Sequence, residues 1–319
     1  MPLNLNRKPL QLTDKIISLA LNQLKTTNNQ QNSKKQLKNI SYLLTCIIQI
    51  KQHIILKCYT APPRTAQTKQ TMDKPSQNYI LCMKWGQKYS AEYVNRLYNM
   101  VKRHLTLPFT MICLTDDTKG INPAVQCYPL IPLDLPNGLP ERGWNKLTTF
   151  SANLYGLQGT ALFLDIDIVI IDNIDSFFTH PSSQKDEVWI IRDWKKPWRK
   201  VGNSSVYRFQ IGALPDLMDY FRNHFQLIRQ QFRHEQAFLS WYVRENHQLS
   251  YWPDNWCLSY KYNVLKKMPY ALWTPPEKPS YGKIIVFHGE VNPPDAIKGG
   301  GGKWYRKVLP APWLKKYWQ

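Results

Sequence analysis

The chain has 319 residues, of which 43% are apolar, and carries a formal net charge of +20. So much apolar material excludes a chain disordered throughout and supplies one large core or two small ones. The cationic excess points to an anionic partner, whether a nucleotide diphosphate, an anionic lipid surface or nucleic acid.

Residues 1–76 hold twelve Lys and Arg against only Asp14 and Asp73, so half of the excess sits in the first quarter of the chain. Asn22 to Lys38 is rich in Asn, Gln, Lys and Thr, a composition that cannot bury enough apolar surface to offset the entropy of ordering. Ile40 to Tyr59 is patterned for an amphipathic helix, and Pro62, Pro63 and Pro75 mark a linker. The segment 1–76 therefore reads as a low-complexity basic extension, disordered or loosely helical and dispensable, with Met72 as an alternative start. Gln49, Lys51, Gln52 and His53 interrupt the apolar run that precedes Leu56, which makes it a poor membrane span. No signal-peptide pattern is present. The six cysteines, Cys46, Cys58, Cys82, Cys113, Cys127 and Cys257, show no zinc-ligand spacing and fit a reduced, cytoplasmic setting.

The segment 77–319 is expected to be a single α/β domain. Tyr79 to Met83 reads as a strand, Ala91 to His104 as an amphipathic helix and Phe109 to Thr115 as a second strand, together a βαβ unit. Lys84 and Trp85 follow the first strand and Asp116 follows the second, placing all three at the carboxyl edge where α/β sheets bind ligands. Trp85 is positioned to stack on a base. Val125 to Ile131 is a third strand, and Gly143 to Phe150 begins a helix whose positive end faces the same edge.

Ala161-Leu162-Phe163-Leu164 has the uninterrupted apolar character of a strand buried on both faces. It delivers Asp165 and Asp167, which alternation on a strand would send to one side. Two carboxylates so placed repel unless a hard divalent cation, Mg²⁺ or Mn²⁺, bridges them to phosphate oxygens. Further on, Asp172 to Asp175 is suited to cap the helix entered at Ser176, Val188 to Ile191 is a strand, and Asp216 to Arg233 is one helix.

From Asp165-Ile166-Asp167 onward the motif order resembles that of nucleotide-sugar glycosyltransferases of the GT-A fold, in particular the glycogenin-like and lipopolysaccharide galactosyltransferase group. The resemblance covers residues 78 to 319 and implies a Rossmann-like mixed sheet flanked by helices, with the two Asp as the D-x-D metal motif. It implies that Lys146, where the family usually has Arg, helps to hold the donor, and that Asn203 in Gly202 to Tyr207 binds the donor sugar. Glu235 and Gln236, in a stretch similar to the family's D-Q-x-x-L helix start, would face the anomeric carbon and the acceptor hydroxyl. His288, in a strand ending His-Gly, would be the third metal ligand. The Lys-Pro-Trp that usually follows is absent, and Lys298 before Gly299 is the substitute the sequence offers. The implied activity is metal-dependent transfer of a sugar, expected from a UDP-sugar, to a hydroxyl of a glycan or lipid-linked acceptor. The implied setting is cytoplasmic surface-glycan assembly in a bacterium.

Two other classes compete. Leu164 to Val169 also satisfies the D-x-D-x-[TV] pattern of haloacid-dehalogenase-like phosphohydrolases, in which Asp165 would be the nucleophile, but there the motif usually follows the first strand. Nucleic-acid binding is suggested by charge and by twelve tryptophans, with no recognition motif behind it. Finally, Lys303 to Gln319 interleaves cations with Trp304, Tyr305, Trp313, Tyr317 and Trp318, a pattern suited to peripheral contact with the inner face of an anionic membrane. The competing reading packs these tryptophans onto the domain.

Overall fold

The computed structural model describes residues 77–135, 143–267, 269–300 and 308–319. The expectations for residues 1–76, for Ile40 to Tyr59 and for Lys303 to Lys307 lie outside the described residues. By contacts the chain divides into a unit Met1–Thr71 and a unit Met72–Gln319.

In the second unit, β1 (Asn78–Lys84), β2 (Thr110–Thr115), β3 (Gln126–Tyr128) and β4 (Thr160–Leu164) run parallel. They join β6 (Glu187–Arg192), β7 (Gly202–Gln210) and β8 (Gln248–Tyr251) in a seven-stranded sheet of order β3-β2-β1-β4-β7-β6-β8. Only β7 is reversed, pairing antiparallel with both β4 and β6. The β1–β2–β3 register lines up Cys82, Cys113 and Cys127 in one row. All four described cysteines are free thiols.

Alternation on the central strands sends side chains into two cores. Ile80, Cys82, Leu162 and Leu164 face α1 (Ala91–His104), whose Val94, Leu97, Met100 and Val101 form its buried stripe. Tyr79, Leu81, Ala161 and Phe163 face the other side, where a 3₁₀ helix (Trp144–Phe150) packs with α3 (Leu217–Asn223), α4 (Phe225–Gln231) and α5 (Glu235–Asn246). A three-stranded sheet of order β5-β10-β9 extends the α1 side, with β5 (Val169–Ile170), β9 (Cys257–Ser259) and β10 (Ile284–Val286). The mixed sheet flanked by helices is the architecture expected from the sequence.

Three local expectations are corrected, and the described tail follows the reading that packs it onto the domain. Asp165 and Asp167 lie in the turn between β4 and β5, since β4 ends at Leu164. Residues 216–233 form two short helices, because His224 leaves helical backbone geometry and its Nδ1 sits 2.9 Å from the carbonyl of Tyr220. The helix α2 (Ser176–Thr179) is a single turn, and the carboxylate of Asp175 accepts hydrogen bonds from the backbone and hydroxyl of Thr106 in place of capping it. The described tail, residues 308–319, is taken up by the fold. Trp318 is 2% exposed, and Arg96 and Arg103 donate to the carbonyls of Trp318, Tyr317 and Gln319 at 2.6–2.9 Å. Lys315 and Lys316 remain at the surface. Among the described residues no helix is long and apolar enough to cross a membrane.

Candidate active site

A cavity of about 280 Å³ opens where β1 and β4 end and β7 begins. Lys84 and Trp85 reach it from β1, Lys88 and Tyr89 from the loop before α1, and Lys146 from the 3₁₀ helix. Asp165 and Asp167 enter from the turn after β4, and Glu235 from the first residue of α5. Three cations thus face three carboxylates.

Backbone and side-chain bonds fix Lys146, Tyr89 and the three carboxylates. The N–H of Asp165 donates to the carbonyl of Ser205 at 2.9 Å, continuing the β4–β7 ladder by one step. Lys146 Nζ lies 2.7 and 2.9 Å from the two oxygens of Asp165 and 3.3 Å from the carbonyl of Ser204. Burial alone would lower the pKa of this ammonium, but Asp165 and then Glu235 outweigh it and raise it, so Lys146 is a permanent cation. Asp167 accepts from the Tyr89 hydroxyl at 2.7 Å, and Tyr89 also lies 3.3 Å from Asn292 Oδ1. Burial and then the neighbouring charge of Asp165 push Asp167 up to about 6, although Tyr89 and Lys146 act in the opposite sense. Burial and then Asp167 raise the pKa of the Tyr89 phenol strongly, so it stays a donor.

Glu235 is buried and accepts from Ser204 Oγ at 2.6 Å. Gly143 is required beside it. Its φ of +105° is unfavourable for any side chain, and an added Cβ would stand 3.3 Å from a Glu235 oxygen.

Six of the residues singled out in the sequence, Lys84, Trp85, Lys146, Asp165, Asp167 and Glu235, therefore meet in one cavity. Asp116 stands beside its rim, where Asp116 Oδ2 accepts from the N–H of Gly86 at 2.8 Å. Asn203 and Gln236 do not line the cavity and face each other at 3.5 Å, the outer limit of a hydrogen bond. His288 does not join the two Asp residues. Its Nε2 lies 2.6 Å from Ser259 Oγ, and its ring stacks on Trp194 at 5.3 Å. Burial and then Lys261 lower its pKa, against a smaller opposing effect of Asp193. The reason is local: β10 pairs with β9 as far as Val286 opposite Ser259, so His288, two residues further on, meets Ser259. Among the described residues no group of three or more His, Cys, Asp and Glu is placed to hold a metal ion. Lys88, Tyr89 and Ser204 were missed in the sequence. Lys88 and Tyr89 follow β1 closely enough to have been included with Lys84 and Trp85, whereas Ser204 carries no local signal.

The donor set still fits a hard cation. Asp165 and Asp167 supply carboxylate oxygens, and Mg²⁺ and Mn²⁺ commonly take one or two protein carboxylates, completing their shell with water and substrate phosphate.

No protein-family model matches the chain, and no curated protein matches it. Among solved structures, the galactosyltransferase LgtC in complex with donor and acceptor sugar analogs is 11% identical, over 67% of this chain and 88% of its own, with a TM-score of 0.48. The apo form of the glycosyltransferase GlyE from Streptococcus pneumoniae TIGR4 is 11% identical, over 75% of this chain and 60% of its own, with a TM-score of 0.49.

Proposed function

We propose that the protein is a glycosyltransferase that moves a sugar from a nucleotide-diphosphate donor, a UDP-sugar by preference, to a hydroxyl of a glycan or lipid-linked acceptor. The observation that carries this reading is the meeting of Asp165, Asp167, Lys146 and Glu235 in one cavity at the carboxyl edge of the sheet. Asp165 and Asp167 would hold Mg²⁺ or Mn²⁺, whose charge offsets that developing on the departing diphosphate. The cavity's own charges balance, so a diphosphate entering alone would be unfavourable and one entering with a divalent cation would not.

The chain's residues act around that pair. Lys146 holds Asp165 in place and is the nearest cation to it, while Tyr89 orients Asp167. Lys84 and Lys88 are the remaining cations for phosphate oxygens, and Trp85 offers an aromatic surface to the base. The acceptor oxygen bonds to the anomeric carbon as the bond from that carbon to the phosphate oxygen breaks. Glu235, oriented by Ser204, is the carboxylate that faces the acceptor hydroxyl and its proton. Asn203 and Gln236 support this edge from β7 and α5.

Hydrolysis of a UDP-sugar panel with Mn²⁺ and with chelator, beside p-nitrophenyl phosphate, tests the reading. Release of UDP that chelation stops is expected. Cleavage of the phosphate monoester without any UDP release would replace it with the phosphohydrolase reading.

A further inference from the structure

Among the described residues the large apolar side chains left exposed are Trp198, Tyr262, Tyr270, Leu272, Trp273 and Tyr281. Five of the six fall between residues 262 and 281. Tyr270–Leu272 is a 3₁₀ turn that buries no residue, and its Tyr270 and the following Trp273 are each 62% exposed. A turn whose tyrosine, leucine and tryptophan all face outward is costly in water and marks a contact surface. Trp198, at 75% exposure, stands in a second such stretch.

Both stretches are basic. Residues 260–282 contain Lys261, Lys266, Lys267 and Lys278 against Glu277, and residues 193–200 contain Lys195, Lys196, Arg199 and Lys200 against Asp193, a surplus of three each. His288 joins them, with Trp194 stacked on its ring at 5.3 Å and Tyr262 tilted against it at 5.4 Å. The two loops thus meet at the His288 ring, and the face they present there carries exposed aromatic side chains with Lys and Arg close to them in sequence.

We infer that this face docks the protein on an anionic lipid bilayer. Tryptophan and tyrosine lodge at headgroup depth because one end is apolar and the other is wetted, and adjacent lysines gain from the negative surface. Leu272, exposed on the same 3₁₀ turn, suits insertion into lipid. It has no part in stacking on nucleic-acid bases, which are bound in grooves. Trp318 of the described tail is committed to the core and takes no part in this surface. This inference is independent of the catalytic reading.

The test uses the full chain and vesicles of phosphatidylcholine with and without phosphatidylglycerol, in sedimentation and in hydrogen exchange. Binding is expected only with the anionic lipid, weakening with salt, with slowed exchange in residues 261–281. Tyr270→Ser with Trp273→Ser, which leaves charge unchanged, is expected to cut the sedimented fraction about fivefold or more, with an unaltered melting temperature. Lys266→Glu with Lys267→Glu should do the same, and Lys315→Glu with Lys316→Glu should not. Protection confined to residues 1–76 or to the tail would overturn the inference. So would binding indifferent to the Tyr270 and Trp273 pair, a self-association in lipid-free buffer that this pair abolishes, or preferential binding of single-stranded nucleic acid over vesicles.

Discussion

In the proposed reaction Asp167 would hold the metal, and its burial carries a cost in stability. Burial and the charge of Asp165 raise its pKa to about 6, so the folded chain binds this proton more tightly than the unfolded chain does. Stability must then fall as pH rises through the window from the ordinary carboxylate value to about 6. Asp167→Asn removes the buried charge and keeps an acceptor for Tyr89. With chelator present it is expected to be more stable than wild type by about 1 kcal/mol at pH 8 and equal to it near pH 4, as read from urea midpoints. The same variant should lose about 10²-fold or more in metal-dependent UDP-sugar turnover. A loss of both activity and stability at pH 8 would show that Asp167 is a structural acid. The wild-type apparent affinity for Mn²⁺ should also fall as pH drops below about 6, where protons compete for the carboxylate. The pairing of Asp165 with Asp167 was legible because both sit within three residues after an apolar run. That Lys146 would neutralise one and Tyr89 orient the other was not, since those contacts span 19 and 78 residues of chain.

At the scale of elements, β7 organises the domain. Its amino end supplies Ser204 and Ser205 to the site, and its centre carries Arg208, which is buried. Arg208 donates through Nη1 to the carbonyls of Phe177, Phe178 and His180 at 2.7–3.2 Å and through Nη2 to Ser182 at 2.6 Å. It also lies over the rings of Trp189 and Trp252. The guanidinium thus closes the carboxyl end of α2, whose last carbonyls have no partner within so short a helix. Burial lowers its pKa to about 10, which still leaves it charged at neutral pH. Arg208→Met would strand several carbonyls and should cost about 3 kcal/mol in chemical denaturation. An effect below about 1 kcal/mol would mean that water replaces the guanidinium there. Strands β1, β2, β4 and β6 were legible as apolar runs, whereas the reversed direction of β7 was not, because it depends on pairing with β4 some forty residues earlier. The single helix read over 216–233 failed for a smaller reason. Apolar periodicity continues across residue 224, where the backbone leaves helical geometry and the His224 ring meets the carbonyl of Tyr220.

At the scale of the whole molecule, a compositional break after the first quarter of the chain was legible from charge and low complexity. The uptake of residues 308–319 was legible as one of two readings, since aromatic and cationic residues in alternation suit a membrane and a docked tail alike, and the bonds from Arg96 and Arg103 to the terminal carbonyls carry the second. Among the described residues, both sheets, both cores and the candidate site are built from residue 77 onward. A fragment Met72–Gln319 is therefore expected to fold cooperatively and to hydrolyse UDP-sugars at the rate of the full chain. Residues 1–71 carry eleven Lys and Arg and one acid, Asp14, so the fragment keeps half of the formal charge, +10 of +20. Its association with anionic vesicles should persist, at reduced strength, since the aromatic face at residues 193–200 and 260–282 is retained while a long-range attraction is removed. Calorimetry, turnover and sedimentation on the two chains side by side decide the matter. An insoluble or inactive fragment would make the extension part of the fold, and a fragment active yet indifferent to vesicles would assign lipid attachment to residues 1–71.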